Sequence, residues 1–338
     1  MSSKKILSGI LVLFFLFTCL TACGKKDDEE PIKPSEPEVP KEIVDIIDVN
    51  SKTRPLAVSI NNTPVAVKVQ EGLNKAYIVY EIPTEGSTSR LLALFKDIKN
   101  LNVGTIRSAR HNFMDFSYES DAIFVSYGWS HYAEDELKKN IIDYVQGIRS
   151  EGSMWRDNKE HLATEHTVYL NTDKVYEYIK NKKKYSTESD NTVLLNYNVS
   201  DTDLSNMENV KEAKKVTLPY GNITTVFEYN EESKMYNRIV NGVKTKDHET
   251  KEEFTTKNII VQKIGYSVMP DKYYWDLKTV GSGDGYYITN GYAVPIKWSK
   301  ESRKSKTKYT YLDGSEISVS DGRTYIEVHL TKKSVTIQ

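Results

Sequence analysis

The chain has 338 residues, of which 38% are hydrophobic and 28% are charged, and its formal net charge is −1. A chain of this length can form one large domain or two smaller ones, each with its own buried core. Because a dedicated nucleic-acid-binding protein needs a basic face, the nearly neutral charge argues against nucleic acid as a partner.

The first 22 residues predict a secretion signal. Lys4 and Lys5 form a basic start, and residues 6–20 are almost entirely apolar. This run is too short and wrongly flanked for a stable membrane span. It ends in the sequence Leu-Thr-Ala-Cys at residues 20–23, which resembles the lipobox of bacterial lipoproteins.

The likeness to a lipobox implies that the signal peptide is removed before Cys23 and that Cys23 is diacylated, with acylation of its new amino group in some organisms. Two or three acyl chains on one residue anchor a protein stably. We therefore expect attachment to the outer face of the bacterial cytoplasmic membrane through lipid on Cys23. Because Cys19 leaves with the signal, the mature chain has no thiol for a disulfide, a zinc thiolate or a nucleophile.

Residues 23–50 predict a flexible tether. Residues 31–40 contain four prolines among charged residues, a composition that favours extended, water-exposed backbone. Ordered structure is expected to begin at Arg54-Pro55, and the tether would hold it away from the membrane.

Residues 51–185 predict a mixed α/β domain. Thr63 and Pro64 look like a helix N-cap followed by proline at the first helical position. Short apolar runs typical of strands occur at residues 56–60, 76–82, 90–95, 103–106 and 121–127. Helical patterns follow at residues 130–139 and 172–182. Residues 186–214 are polar and rich in Ser, Asn and Asp, which predicts a linker or a long loop.

Residues 215–338 predict a β-rich domain. Short alternating runs are separated by the pairs Asn241-Gly242, Asn290-Gly291, Asp313-Gly314 and Asp321-Gly322. Asn-Gly and Asp-Gly accept positive φ and are the residues of tight hairpins. The predicted fold class is therefore α+β, with an N-terminal mixed α/β domain followed by a β-rich C-terminal domain.

The stretch from residue 104 to residue 131 has the strongest features of a site. A strand leaves Gly104, and Ser108 is positioned to cap a helix whose apolar residues recur at helical spacing. Arg107 and Arg110 would stand beside the first turn, on the face away from those apolar residues. Free backbone N–H groups and the helix dipole favour a negative ligand there, and guanidinium suits a carboxylate, sulfate or phosphate.

The arginine pair also has an alternative interpretation, in which it bonds internally to carboxylates such as Glu81, Glu85 or Asp115. Arg90 and Arg156 are expected to assist at the same place. Only geometry separates an open anion site from a buried network of ion pairs.

His166 is the candidate for proton transfer, because imidazole titrates near neutral pH without help. The alternative is a histidine bonded structurally to the backbone. Glu81 and Glu85 are a possible acid and base for glycan cleavage, or else they balance the arginines. The chain has 23 tyrosines and four tryptophans. These side chains can stack on sugar rings, but they also pack well within strands.

The sequence predicts no cofactor and no metal site. The motifs G-x-S-x-G and H-E-x-x-H are absent. Residues 281–285, GSGDG, are not followed by Lys-Ser or Lys-Thr, so they predict a hairpin turn and not a phosphate loop. His111 and Asp115 are four residues apart, but two ligands do not make a metal site.

Several short segments, spread over residues 54–330, together resemble one family. They are Arg54-Pro55, Ile78-Val79-Tyr80-Glu81, Glu85-Gly86 with Arg90, Ile106-Arg107-Ser108-Ala109-Arg110, Trp155-Arg156-Asp157 with His166, Asn258-Ile259-Ile260-Val261-Gln262, Gly281-Ser282-Gly283, Trp298, and Asp321-Gly322-Arg323-Thr324. The chain resembles the YerB-like lipoproteins of Gram-positive bacteria. The resemblance implies a paired N-terminal and C-terminal domain of unknown function, and it supplies no catalytic residues.

The chain departs from the pattern of this family at four positions. Thr105 and Glu165 stand where proline is frequent, Tyr77 where aspartate is usual, and Tyr325 where tryptophan is common. None of these departures removes an arginine, a glutamate or a histidine of the pattern.

We therefore expect a lipid-anchored extracytoplasmic protein that binds an anionic ligand of the cell envelope through Arg107, Arg110, Arg90, Arg156 and Ser108. The ligand would be a cell-wall glycopolymer, a peptidoglycan fragment or a carboxylate of an envelope protein. Two alternatives stay open. One is a cell-wall polymer hydrolase or transferase that uses the histidine and the two glutamates named above, and the other is a structural envelope scaffold without a small ligand.

Overall fold

Strands dominate the computed structural model, which describes residues 43–149, 152–158 and 160–338. The predicted signal peptide, the lipidated Cys23 and the tether up to residue 42 lie outside these residues. The strands, in chain order, are β1 Leu56–Asn61, β2 Ile78–Thr84, β3 Thr88–Phe95, β4 Asn102–Gly104, β5 Ile123–Ser126, β6 Tyr144–Gln146, β7 Met154–Arg156, β8 Val168–Asn171, β9 Asn196–Asn198, β10 Lys211–Glu212, β11 Lys215–Pro219, β12 Thr224–Asn230, β13 Met235–Val240, β14 Val243–Lys244, β15 Thr255–Thr256, β16 Asn258–Ile264, β17 Tyr266–Val268, β18 Trp275–Leu277, β19 Gly281–Thr289, β20 Tyr292–Lys300, β21 Lys308–Thr310, β22 Ser318–Ser320, β23 Thr324–Leu330 and β24 Thr336–Ile337.

The helices are short and lie in the first half of the described chain. They are α1 His111–Tyr118, α2 His131–Lys138 and α3 Thr172–Tyr178, which continues as a π-helical turn at Ile179–Lys183, and the 3-10 turns are Ala66–Val69, Leu73–Lys75, Gly147–Arg149 and Thr164–His166. The helix α2 lies within the predicted residues 130–139, and the Oγ of Ser130 accepts from the amide of Ala133 at 3.3 Å, which caps its first turn.

Eleven strands form a central sheet that takes strands from both halves of the chain. Its order is β10-β20-β19-β16-β23-β2-β3-β1-β5-β6, with β21 beside β20. The strand β23 runs parallel to both β2 and β16. Every residue of β1, β2 and β23 is buried, which accounts for their nearly continuous apolar character.

Two hydrophobic cores cover the two faces of the central sheet. On one face, α1 and α2 pack through residues such as Phe116, whose ring centroid lies 5.0 Å from that of Tyr80. On the other face lies a six-stranded sheet of order β14-β13-β12-β11-β24, with β15 beside β13. It packs through Phe227, whose ring centroid lies 5.4 Å from that of Tyr325. The central sheet is therefore the middle layer.

The predicted α+β fold class, with a mixed N-terminal and a β-rich C-terminal region, is confirmed by these elements. The division into residues 51–185, 186–214 and 215–338 stays a prediction. The shared central sheet nevertheless shows that the two halves are joined by backbone hydrogen bonds and not only by side-chain packing.

Order begins earlier than Arg54, where the sequence predicted it. The amides of Asp45 and Ile46 donate to the carboxylate of Asp321 at 2.7 and 3.0 Å, and Ile47 is buried. Part of the predicted tether therefore packs on the fold. The predicted linker is also ordered, because β9 pairs with β22 and places Leu194 and Leu195 in the core.

The hairpin predicted at residues 281–285 is wrong. These residues form the first part of β19 and pair with β20, and the turn between the two strands is Asn290-Gly291. The glycines serve close approach instead, since a Cβ on Gly285 would lie 2.3 Å from the carbonyl oxygen of Val261. The helix predicted to start at Pro64 is only the 3-10 turn Ala66–Val69.

Candidate functional site

The segment from residue 104 to residue 110 is held between the central sheet and β8. The amide of Ile106 donates to the carbonyl of Val168, and the amide of Arg107 donates to the carbonyl of Ser59, both at 2.8 Å. Because its backbone is bonded on two sides, this segment holds its arginine side chains at defined positions.

Ser108 does not cap a helix, so that prediction is wrong. The helix α1 begins at His111, and its N-cap is Arg110, which makes no side-chain cap hydrogen bond. The Oγ of Ser108 donates to the carbonyl of Tyr127 at 3.2 Å. This hydroxyl therefore joins the segment to the chain that follows β5 and is not left for the helix.

Arg110 and Arg90 share one carboxylate. The Nε of Arg110 donates to Oε2 of Glu85 at 2.7 Å, and its Nη2 bonds Oε1. The Nη2 of Arg90 lies 3.4 Å from Oε1 of Glu85, and its Nη1 donates to the carbonyl of Ser108 at 2.5 Å. All three charged side chains are buried. The internal ion-pair interpretation thus describes these two guanidiniums.

The pKa values of this cluster reflect an excess of positive charge. Burial alone would raise the pKa of Glu85, but the hydrogen bond and the charge of Arg110 outweigh it and hold this pKa below its ordinary value. Burial, and after it the charge of Arg110, lowers the pKa of Arg90 to about 9. A nearby anion would offset the charge of Arg110 and so raise the pKa of Arg90.

Arg107 and Arg156 lie nearer the surface and contact the same turn, Thr164–His166. The Nη1 of Arg107 donates to the carbonyl of Glu165 at 3.3 Å, and its Nη2 lies 3.6 Å from the Glu165 carboxylate. The Nη1 of Arg156 bonds the carbonyl of Thr164, and its guanidinium lies 4.9 Å from the ring centroid of Tyr127. These two of the predicted arginines are accessible to a ligand.

His166 is nearly buried, and its protonation state follows from its neighbours. Its Nδ1 lies 2.8 Å from Nδ2 of Asn61. Because an amide nitrogen only donates, Nδ1 accepts and the neutral ring carries its proton on Nε2. Burial lowers the pKa of His166, and the charge of Glu165 opposes this shift.

A cleft of about 280 Å³ lies beside this turn. The N-terminal half contributes Trp155, His166 and Tyr169 to its wall, and the C-terminal half contributes His248 and Glu249. His166 thus reaches a cleft, as the enzyme hypothesis requires. No spacing pattern predicts the residues from the C-terminal half, because they come from a turn far along the chain.

Neither glutamate proposed as an acid or base lines this cleft. Glu85 is paired as described above. Glu81 is wholly buried and accepts from Ser89, Asn62 and Thr225 at 2.6, 3.0 and 2.9 Å. The structure therefore does not bring either carboxylate together with His166.

Glu81 belongs to a buried polar group that sequence reasoning missed. Its Oε2 lies 3.3 Å from Nη2 of Arg238, and Glu327 is its partner in the parallel pairing of β2 with β23. The hydroxyl of Tyr220 donates to Oε2 of Glu327 at 2.7 Å. Glu81, Glu327 and Arg238 have no exposed surface, so this group holds the fold together and is not a ligand site.

Across residues 43–149, 152–158 and 160–338, the structure has no cluster of three or more His, Cys, Asp or Glu side chains placed to hold a metal ion. Asp115 accepts from Thr279 at 2.5 Å and from Arg303 at 2.6 Å, so it serves the contact between α1 and the C-terminal half. Within the same ranges, no helix is both long enough and apolar enough to cross a membrane.

Gly104 supports one wall of the cleft. A Cβ at this position would lie 2.1 Å from Cδ1 of Tyr169, whose hydroxyl donates to the carbonyl of Val69 at 3.0 Å. We expect Gly104→Ala to lower the free energy of unfolding by about 1–3 kcal/mol, because the buried ring has to move. Urea unfolding measures this loss. Gly265→Ala is the matched control, since its Cβ would meet Lys278 at an ordinary 3.7 Å, and equal stability of the two variants would contradict the prediction.

Comparison with known proteins gives one consistent result. Models of the N-terminal and C-terminal domains described as "Protein of unknown function (DUF3048)" match residues 45–186 and 216–326. The chain is 30% identical over 327 residues to "Putative lipoprotein YerB" of Bacillus subtilis (strain 168), covering 94% of each sequence. It is also similar to the crystal structure of YerB protein from Bacillus subtilis, with a TM-score of 0.73 and 26% identity, over 85% of this chain and 94% of that one. The predicted family resemblance is confirmed.

Proposed function

This chain belongs to the DUF3048 family of proteins of unknown function, and we propose that it is a lipid-anchored extracytoplasmic protein that binds an anionic ligand of the cell envelope. Its relative bears the name of a lipoprotein. The sequence Leu-Thr-Ala-Cys at residues 20–23 supports the same anchoring here, through lipid on Cys23 at the outer face of the cytoplasmic membrane. The ligand is an anionic cell-wall glycopolymer or a carboxylate of an envelope protein.

The observation that carries the proposal is the arrangement of four guanidiniums in two tiers. Arg107 and Arg156 contact one surface turn, and the buried Arg90 and Arg110 lie behind them. Among the residues that the structure describes, Glu85 and Glu165 are the carboxylates that pair with these four side chains. The two tiers therefore present an unbalanced positive charge, which attracts anions.

The surface tier is open to exchange. The carboxylate of Glu165 is 54% exposed and lies 3.6 Å from Arg107, and exposed pairs of this kind contribute little to stability. A phosphate or carboxylate that bonds both guanidiniums offers better geometry, because the planar fork of arginine suits such groups. We therefore assign anion binding to Arg107 and Arg156, with Arg90 and Arg110 acting through their charge.

The test is the binding of inorganic phosphate and of a soluble polyphosphate to the full chain purified in detergent, measured by calorimetry and by the shift in melting temperature. We expect Arg107→Ala combined with Arg156→Ala to weaken binding at least about tenfold, since two charge-assisted contacts are lost. The control is Lys297→Ala, which removes an exposed positive charge paired with Asp284 elsewhere on the surface. Unchanged binding by the double variant would defeat the proposal.

A second candidate is a cell-wall polymer hydrolase or transferase, and the position of His166 in the cleft favours it. It requires a carboxylate other than Glu81 and Glu85. Turnover of a wall polymer that His166→Gln abolishes would support this candidate. Loss of anion binding in that variant would not, because His166 belongs to the turn that Arg107 and Arg156 contact.

A further inference from the structure

We propose that the cleft beside the arginine-contacted turn is a sugar-binding site, separate from the arginines, that holds a neutral pyranose ring. The inference rests on the proposed function. It adds the sugar part of the ligand whose anionic group the arginines bind. The site is built from an aromatic wall, a ring of hydrogen-bonding side chains and a position next to Arg156.

The aromatic wall consists of Trp155 on β7 and Tyr169 on β8. They are direct partners in the antiparallel pairing of the two strands, and their ring centroids are 6.3 Å apart with an angle of 26° between the planes. Tyr169 is fixed by its hydrogen bond to the carbonyl of Val69 and by the absence of a Cβ at Gly104. A fixed aromatic surface suits the C–H face of a pyranose ring, which is apolar.

The rest of the cleft wall is polar and matches hydroxyl groups. It includes the Nε2–H of His166, the amides of Asn102 and Asn158, and the carboxylate of Glu160. Sugar hydroxyls both donate and accept, and a bond from a hydroxyl to a carboxylate is the stronger kind. A wall that contains amide, imidazole and carboxylate groups therefore offers both donors and acceptors to a neutral, hydroxyl-rich ligand.

The same wall does not suit an anion. No lysine or arginine from the described parts of the chain lines the cleft, whereas four acidic residues do, Glu71, Asp157, Glu160 and Glu249. Glu160 also lies 3.7 Å from Nε2 of His248, a contact between the two halves of the chain. The charged groups of a ligand would therefore be excluded from the cleft and directed to the neighbouring arginines.

The cleft and the arginines are adjacent. Thr167 lines the cleft, and its Oγ1 accepts from Nη1 of Arg156 at 3.2 Å. One acidic glycan can thus place a sugar ring on Trp155 and its anionic substituent on Arg156. The cleft volume of about 280 Å³ is close to the lower end of the roughly 300–1,000 Å³ of small-ligand sites, which limits it to a short saccharide segment.

The experiment measures the binding of three neutral trisaccharides, maltotriose, cellotriose and triacetylchitotriose, to the full chain in detergent by calorimetry and saturation-transfer NMR. We expect at least one of them to bind with a dissociation constant near or below about 10 mM. Trp155→Ala should weaken that binding at least about tenfold, because the stacking surface is lost. Tyr273→Ala is the matched control, since Tyr273 is a 55% exposed aromatic residue that does not line the cleft.

Glu160→Gln provides a second variant if Trp155→Ala does not fold, because its side chain is 56% exposed and its loss leaves the core unchanged. It should weaken the trisaccharide about threefold or more, by replacing a charged acceptor with a neutral one. Absence of binding by all three sugars, or unchanged affinity in the variants, overturns the inference. So does binding of spermidine without any sugar, which would make the cleft a cation site. Phosphate binding is measured separately, so either proposal can fail while the other stands.

Discussion

Arg238→Ala is expected to lower the free energy of unfolding by about 3–5 kcal/mol, the cost of removing one partner from a buried ion pair. Arg238 and Glu81 both have no exposed surface, and Glu327 lies beside Glu81 in the neighbouring strand. Without the guanidinium, two adjacent carboxyl groups remain in the interior with no cation described beside them. The destabilisation should therefore be smaller at pH 5 than at pH 8, because the charge of Arg238 lowers the pKa of Glu327 and so offsets part of the rise that burial and Glu81 cause.

Urea unfolding at the two pH values measures this effect. Lys244→Ala is the control, because it breaks an exposed contact with Glu253 and should cost less than about 1 kcal/mol. Arg238→Met combined with Glu81→Gln should recover at least half of the loss, since it replaces an unpaired charge with neutral groups of similar size. A loss for Arg238→Ala no larger than that of the control would show that the buried pair contributes little.

Glu327→Gln is expected to be increasingly more stable than the unmodified chain as the pH rises. Burial, and after it the negative charge of Glu81, raises the pKa of Glu327 well above its ordinary value. In the folded protein this carboxyl group is therefore protonated at pH values where the unfolded chain has lost the proton. Its stabilising contribution is complete below the unfolded pKa and is lost as the pH rises through the folded one.

Other groups facing Glu327 do not cancel this dependence. The hydroxyl of Tyr220 donates to it, and burial raises the pKa of Tyr220 well above its ordinary value. Burial lowers the pKa of His329, on the same strand, to about 4, so this ring stays neutral in the relevant range. The charge of Arg238 lowers the pKa of Glu327 but does not outweigh burial and the charge of Glu81.

The measurement is urea unfolding of Glu327→Gln and the unmodified chain at pH 5, 7 and 9. The difference between their free energies of unfolding should change by up to about 1.4 kcal/mol per pH unit. This slope applies where Glu327 is ionised in the unfolded chain but still protonated in the folded protein. Glu232→Gln, on the exposed turn between β12 and β13, should show no such trend. A constant difference between Glu327→Gln and the unmodified chain would mean that Glu327 is ionised in the fold.

Local patterns predicted most of the elements because local physics forms them. The helix α2 lies within the predicted residues 130–139, and β1 coincides with the apolar run at residues 56–60. The predicted turn pair Asn290-Gly291 connects β19 to β20. The glycines of residues 281–285 misled the prediction because a glycine that admits a neighbouring backbone looks the same in sequence as a glycine that turns the chain. Contacts across the sheet decide between the two.

The site was predictable only as a set of residue types. Sequence spacing identified Arg107, Arg110 and His166, but it does not show which acid meets which base. Glu85 lies on the turn after β2 and reaches Arg90 because β2 and β3 stand next to one another in the folded sheet. The pairing of Glu81 with Glu327 depends in the same way on strand order, which periodicity does not reveal.

The position of β23 between β16 and β2 has a consequence for biogenesis. If synthesis stopped before β23, the outer edge of β2 would display unpaired amide and carbonyl groups on a mostly apolar strand, a template for aggregation. Separately expressed halves should therefore be insoluble or rely on holding chaperones, and each should become soluble when the other is supplied. The central sheet can therefore close only after both halves of the chain are present.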